Sequence, residues 1–166
     1  QAIATTVSFE WGTIPMEIAD ADPKGFDTST DYLKAVVERR RDLTLNEVWE
    51  SHKIRKNLCV EMGRFFDEYD LLITPTLPCE AFDAGKPWPF LEDSPEEPDF
   101  TLNRLVSPFN LTGDPACSLP MGFSENGLPL GLQIVAPRHE DLRVFQAAYA
   151  VEQITDAWKR RPPHGI

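Results

Sequence analysis

Hydrophobic residues recur at steps of three and four over long parts of the chain, the spacing of helices with an apolar face. This spacing predicts a helix over about 29–41. A second helix is predicted from Thr44 to about Tyr69, because Thr44 and Glu47 are spaced as in a capping box. The last predicted helix, His139–Trp158, carries apolar residues on more than one face, so we expect it to contact two neighbours.

Shorter apolar runs predict strands. Residues alternate in a strand-like way from Ile3 to Trp11, and a short run over Leu71–Ile73 stops at Pro75. Two further strands are predicted at Ala116–Leu119 and Leu130–Ala136, the latter with hardly a polar residue. Such a run is typical of a strand buried on both faces. Helices and strands therefore alternate, which predicts an α/β fold with helices on both sides of a sheet.

Two proline-containing segments separate these elements. The segment from Pro75 to Asp99 holds six prolines and the acidic group Glu92–Glu97. Loops of this length inside a domain are either functional or disordered, so the segment is a candidate rim of a site, and a plain surface excursion is an equal alternative. A short helix is predicted over Phe100–Val106, limited by Pro108.

Composition narrows the functional classes. A chain of 166 residues with net charge −11 fits one domain and repels phosphate backbones and anionic lipid surfaces. No apolar run approaches the ~20 residues that span a bilayer, and Gln1 opens no signal-peptide pattern. We therefore expect a cytoplasmic protein that binds neither nucleic acid nor membrane. Because a strand-like run follows almost at once after Gln1, we also expect a single partial domain over residues 1–166.

The common catalytic and cofactor motifs are absent from the sequence. There is no GxSxG, no glycine-rich phosphate loop, no HExxH and no CxxC, so we expect neither a cofactor nor a metal. Cys117 lies within an apolar strand, where free cysteines are ordinarily buried and inert. A structural cysteine explains it better than a nucleophile.

Three segments carry a resemblance to a known family. They are LLITPTLPCEAF at 71–82, PFNLTGDPACSLPMGF at 108–123 and NGLPLGLQIVAPRHEDLRVFQAA at 126–148. In order and separation they resemble successive blocks from the C-terminal part of the amidase signature family. The resemblance covers most of residues 30–163, whereas the first 27 residues match only loosely.

This resemblance implies a fold and a chemistry. Members of the family are α/β/α units around a large mixed sheet, and they hydrolyse carboxamides with a Ser–cisSer–Lys triad that needs no cofactor. The triad and its Gly/Ser-rich segment precede the blocks found here. The chain has neither a Ser-Ser nor a Gly-Gly pair, so no catalytic residue can be assigned. We expect the parent enzyme to be an amidase and this chain alone to be inactive.

The resemblance also suggests where substrate is contacted. The segment around residues 109–113 resembles a wall close to the acyl pocket, so Phe109, Asn110 and Thr112 are the predicted substrate contacts. A purely structural role in bracing the turn is an equal alternative. Gly113 and Gly122 are expected to adopt backbone angles denied to other residues, while Pro115 and Pro120 would set where the strand between them begins and stops.

The sequence leaves three functional hypotheses open. The first is the C-terminal part of an amide hydrolase, whose partners are a small amide substrate and the missing N-terminal part of the same fold. The second is a binding or scaffold remnant whose core face is covered by a partner or by a second copy in a homodimer. The third is an amidotransferase-type subunit that passes ammonia to an acceptor within a complex.

Overall fold

A computed structural model describes Thr5, Thr6, Phe9 and residues 12–83 and 103–161. The chain divides into two compact units, residues 1–57 and 58–166. The expectation of a single partial domain stays a prediction.

The described part of the first unit is helical. Its helices are α1 (Thr13–Ala21), α2 (Pro23–Phe26), α3 (Asp31–Asp42) and the first half of α4 (Leu45–Glu68), with Ala19, Val37 and Val48 among the buried residues. The strand predicted from Ile3 to Trp11 is wrong at Thr5, Thr6 and Phe9, which are helical, and its other residues lie outside the described part of the chain. Alternating residues also recur every four positions, so the pattern does not exclude a helix.

Helix starts in this unit follow their sequence signals. The Thr30 hydroxyl accepts a hydrogen bond from the Leu33 N–H at 3.3 Å, which caps α3. At the start of α4, the Glu47 carboxylate accepts from the Thr44 N–H at 2.9 Å, and the Thr44 hydroxyl accepts from the Glu47 N–H at 3.2 Å. The capping box predicted at Thr44 is confirmed.

The second unit contains an antiparallel sheet. Its strands are β1 (Leu72–Pro75), β2 (Ala116–Phe123) and β3 (Pro129–Val135), arranged in the order β1-β3-β2. Ile134 of β3 is opposite Ile73 on one side and Cys117 on the other. Gln133, Ile134, Val135 and Ala136 are buried, whereas Leu130 is exposed, so the predicted two-sided burial holds only for the second half of the run.

Two proline predictions in this unit are corrected. Pro108 does not end a helix: it lies in the first turn of α5 (Ser107–Thr112), which follows a 3₁₀ turn at Asn103–Leu105. A proline fits there because a first-turn N–H has no helical partner to lose. Pro120 does not end its strand either, since β2 continues to Phe123 across an irregularity between Pro120 and Gly122. The described part of the predicted Phe100–Val106 helix is only the 3₁₀ turn.

The last helix, α6 (Asp141–Thr155), contacts β2 and β3, and its buried residues are Val144 and Ala148. It ends three residues before the predicted Trp158, because Asp156 adopts a left-handed conformation and a 3₁₀ turn follows at Ala157–Lys159. The packing of α6 against β2 and β3 confirms the predicted α/β class.

Candidate substrate groove

The predicted contact residues lie on α5, which ends at Gly113 with φ +74°. Phe109 and Thr112 are buried and Asn110 is exposed. The Thr112 hydroxyl lies 2.5 Å from the Asp114 carboxylate, and the Arg138 guanidinium donates to the Thr112 carbonyl. Thr112 is therefore held by the chain itself, and only Asn110 of the three faces solvent.

A separate groove lies beside the sheet in the same unit. It has a volume of about 840 Å³ and is formed by β1, β2, β3 and the segment that follows β1, residues 76–82. Its apolar lining includes Ile73, Leu77, Met121, Leu130 and Leu132. Phe109, Asn110 and Thr112 do not line it.

Two hydroxyl groups lie in the lining of this groove. The Thr76 and Ser118 oxygens are 2.6 Å apart, although the residues are 42 positions apart in sequence. Gly131 lies between them: an added Cβ would be 2.7 Å from the Thr76 oxygen and 3.0 Å from the Ser118 oxygen. A glycine at this position leaves room for the hydroxyl pair.

One carboxylate belongs to the groove lining. Glu80 accepts a hydrogen bond from the Asn126 amide at 3.0 Å. That bond, with a further one from Ser124, lowers the pKa of the Glu80 carboxyl below its ordinary value. The groove therefore combines an apolar surface with a hydroxyl pair and one anionic group.

Buried polar groups next to the sheet are paired. The Gln133 amide donates to the Thr74 hydroxyl at 2.9 Å and to the Leu105 carbonyl at 2.8 Å, which links β3 to β1 and to the turn before α5. Gln133 is the one polar residue in a run of apolar ones, a signal that it needs buried partners. Sequence reasoning did not single out Gln133, Thr76 or Ser118, since their partners are distant in the chain.

The described residues hold no cluster of metal-ligating side chains, and the Cys117 thiol is not activated as a nucleophile. Over residues 12–83 and 103–161, no three His, Cys, Asp or Glu side chains come together as metal ligands. Partial burial raises the pKa of the Cys117 thiol, which disfavours the reactive thiolate. None of the helices in these ranges is both long and apolar enough to cross a membrane.

The chain matches a protein-family model described as Amidase over residues 20–145. It is 40% identical over 118 residues to a glutamyl-tRNA(Gln) amidotransferase subunit from Synechococcus sp. strain JA-3-3Ab, covering 70% of this chain and 21% of that protein. It is 38% identical over 114 residues to the subunit of the same name from Ligilactobacillus salivarius strain UCC118, covering 68% of this chain and 22% of that protein.

Solved structures show the same relationship. A 6-aminohexanoate cyclic dimer hydrolase superposes with TM-score 0.74 at 26% identity, covering 96% of this chain and 35% of that chain. A bacterial aryl acylamidase of the amidase signature family gives TM-score 0.78 at 23% identity over 95% of this chain and 34% of that chain, a likeness of fold. The chain spans about a fifth of its curated relatives and about a third of these structures. With the family match over residues 20–145, these likenesses establish that the chain belongs to the amidase signature family.

Proposed function

We propose that this chain is the carboxy-terminal, pocket-forming part of an amidase that hydrolyses a carboxamide C–N bond to a carboxylate and ammonia or an amine. The observation that carries this proposal is the apolar groove beside the sheet in a chain of the amidase signature family. Apolar grooves with a few polar groups are the usual form of small-molecule sites. The acyl part of the substrate would lie against Leu77, Met121 and Leu130.

In this proposal the reacting groups come from outside the 166 residues. In the triad that the family resemblance implies, a lysine deprotonates a bridging serine, which activates the nucleophilic serine, and backbone N–H groups stabilise the oxyanion. This chain contributes the groove wall, the Thr76–Ser118 hydroxyl pair and the Glu80 carboxylate. The carboxylate would disfavour acidic substrates near that position, because like charges repel.

Of the three predicted substrate-contact residues, we propose direct contact for Asn110 only. Asn110 is exposed, so its amide could contact a substrate group that approaches α5. Phe109 and Thr112 would act indirectly, because their buried side chains hold α5 in position. A substitution of Asn110 is therefore expected to affect substrate binding, whereas a substitution of Thr112 is expected to affect folding first.

A second candidate function is membership of an amidotransferase complex. It is favoured by the curated relatives, which are named as subunits of glutamyl-tRNA(Gln) amidotransferase. The apolar lining favours the hydrolase, since an apolar acyl group suits this groove better than the polar side chain of glutamine. Whether the chain serves as a non-catalytic scaffold depends on whether the groove binds amides.

Ligand binding tests the proposed function directly. Hexanamide, benzamide and glutamine would be titrated separately into the ¹⁵N-labelled chain while amide NMR shifts are followed. The proposal expects saturable shifts at Thr76, Ser118 and Gly131 with the two apolar amides and none with glutamine. Shifts with glutamine alone would favour the amidotransferase, and no shifts with any probe would refute a substrate groove.

Two alanine variants provide the control. Gly131→Ala adds a methyl group within 3.0 Å of both groove hydroxyls, so it should abolish the shifts. Gly63→Ala adds the same methyl group where nothing lies within 4 Å, so it should bind like the original chain.

An activity assay tests a separate part of the proposal: the isolated chain should release no ammonia from hexanamide above the uncatalysed rate. Turnover that survives repurification would place catalytic residues within this chain.

A further inference from the structure

Helix α6 has two apolar faces, of which only one is covered. The helix packs against β2 and β3, and its buried residues Val144 and Ala148 are 4% and 9% exposed. Leu142, Phe145 and Tyr149 are 68%, 69% and 64% exposed, and their steps of three and four place them in one row, here called the outer stripe. A helix that is apolar on more than one face is typical of a helix between two packed layers.

We infer that the outer stripe is the docking surface for the amino-terminal part of an amidase-signature domain. The chain superposes over 95–96% of its own length on solved family enzymes, yet it fills only 34–35% of theirs. The remaining two-thirds of such a domain must pack against this third. The outer stripe supplies an apolar surface on which it can do so. This inference rests on family membership and does not depend on the proposed amide hydrolysis.

Size argues against a second copy of the chain as the occupant. Three side chains of this kind offer apolar surface on the order of a few hundred Å². A stable dimer ordinarily buries about 800 Å² on each partner. A layer of the same domain, which gains further contacts elsewhere along the sheet and helices, does not need the stripe to carry the whole interface.

The experiment compares the same substitution in two settings. The first setting is the isolated chain. The second is a chimera. In it, residues 20–161 of this chain replace the matching segment of the Synechococcus glutamyl-tRNA(Gln) amidotransferase subunit. Phe145→Glu tests the stripe. Ile154→Glu is the control, because Ile154 lies on α6 outside the stripe and is 82% exposed.

Thermal unfolding is the readout. In the isolated chain both variants should melt within about 2 °C of the original, since surface substitutions ordinarily have little effect. In the chimera, Phe145→Glu should lower the melting temperature by about 5 °C or more through burial of an unpaired charge, and Ile154→Glu should have little effect. Equal effects of the two variants in the chimera would overturn the inference.

Two further measurements keep the inference falsifiable. If the chimera does not fold, glutamate is introduced into the intact bacterial aryl acylamidase at the positions that superpose on Phe145 and Ile154, with the same expected contrast. Sedimentation of the isolated chain tests the rival occupant. A dimer that Phe145→Glu dissociates and Ile154→Glu does not would assign the stripe to a second copy and refute the docking surface. Ammonia release is not used in either measurement, so failure here is distinguishable from failure of the proposed function.

Discussion

Adding one methyl group at Gly113 and at Gly63 should change stability in opposite directions. Gly113 ends α5 at φ +74°, a left-handed conformation in which a residue with a Cβ costs about 1–2 kcal/mol. The new Cβ would also lie 3.1 Å from Nη2 of Arg138, the side chain that donates to the Thr112 carbonyl. Lower entropy of the unfolded chain offsets about 0.4–1 kcal/mol of the cost. We expect Gly113→Ala to lower the free energy of unfolding by about 1 kcal/mol.

Gly63 is the matched control in the same unit. It lies inside α4, and an added Cβ would meet nothing within 4 Å. Alanine in a helix interior is favoured over glycine by about 0.8–1.0 kcal/mol, so Gly63→Ala should stabilise the chain by about that amount. The two variants differ from the original by the same group, which leaves backbone conformation as the cause of any difference in sign.

Urea unfolding followed by far-UV circular dichroism measures both effects. For a slope near 2 kcal/mol per M, the midpoint should fall by about 0.5 M for Gly113→Ala and rise by about 0.5 M for Gly63→Ala. Gly113→Asn should lie between Gly113→Ala and the original chain, because asparagine tolerates the left-handed region. Equal midpoints for the two alanine variants would refute the argument that Gly113 is required for its backbone conformation.

Three further predictions concern titratable groups. Hydrogen bonds from the Thr44 N–H and hydroxyl lower the pKa of the Glu47 carboxyl in the folded state. Because the folded-state pKa is below the ordinary value of 4.5, these bonds stabilise the fold fully above that value. Their contribution is lost as the pH falls through the folded-state pKa. Urea midpoints of the original chain and Glu47→Gln should therefore converge on acidification, and a constant gap would contradict this. Asn126→Ala should raise the pKa of Glu80 towards its ordinary value in an NMR titration; an unchanged value would show that Asn126 is not the main cause. Cys117 should react with a thiol reagent at pH 8 more slowly than free glutathione does, since burial raises its pKa. Mass spectrometry of labelled peptides measures this rate, and labelling of Cys117 as fast as that of glutathione would contradict the prediction.

Local sequence signals predicted the capped start of α4 and two of the strand boundaries in the second unit. Thr44 and Glu47 are three residues apart, so their capping interaction depends on nothing distant, and it forms as predicted. Pro75 and Pro115 also mark strand boundaries as predicted. The wrong predictions came from residues that are compatible with more than one local structure. A proline is found at the start of a helix as well as after its end, and Pro108 occupies the start.

The groove could not be predicted because it depends on contacts between distant residues. Thr76 and Ser118 meet only because β1 and β2 pair with opposite edges of β3, where Gly131 leaves space between them. The sequence predicted the segment after Pro75 as a rim, and residues 76–82 do line the groove. The rest of that prediction, residues 84–99, lies outside the described part of the chain.

The groove and the outer stripe of α6 differ in the number of polar groups that they contain. The groove contains a hydroxyl pair and the Glu80 carboxylate among its apolar residues, which gives a ligand groups to orient against. The outer stripe of α6 consists of Leu142, Phe145 and Tyr149, and its only polar side-chain atom is the phenol oxygen. Directional polar groups provide selectivity for a small molecule, whereas an apolar row provides area for packing. For this reason we propose the groove as the substrate site and the stripe as a packing surface for another part of the domain. A substitution that abolishes one function is then expected to leave the other intact.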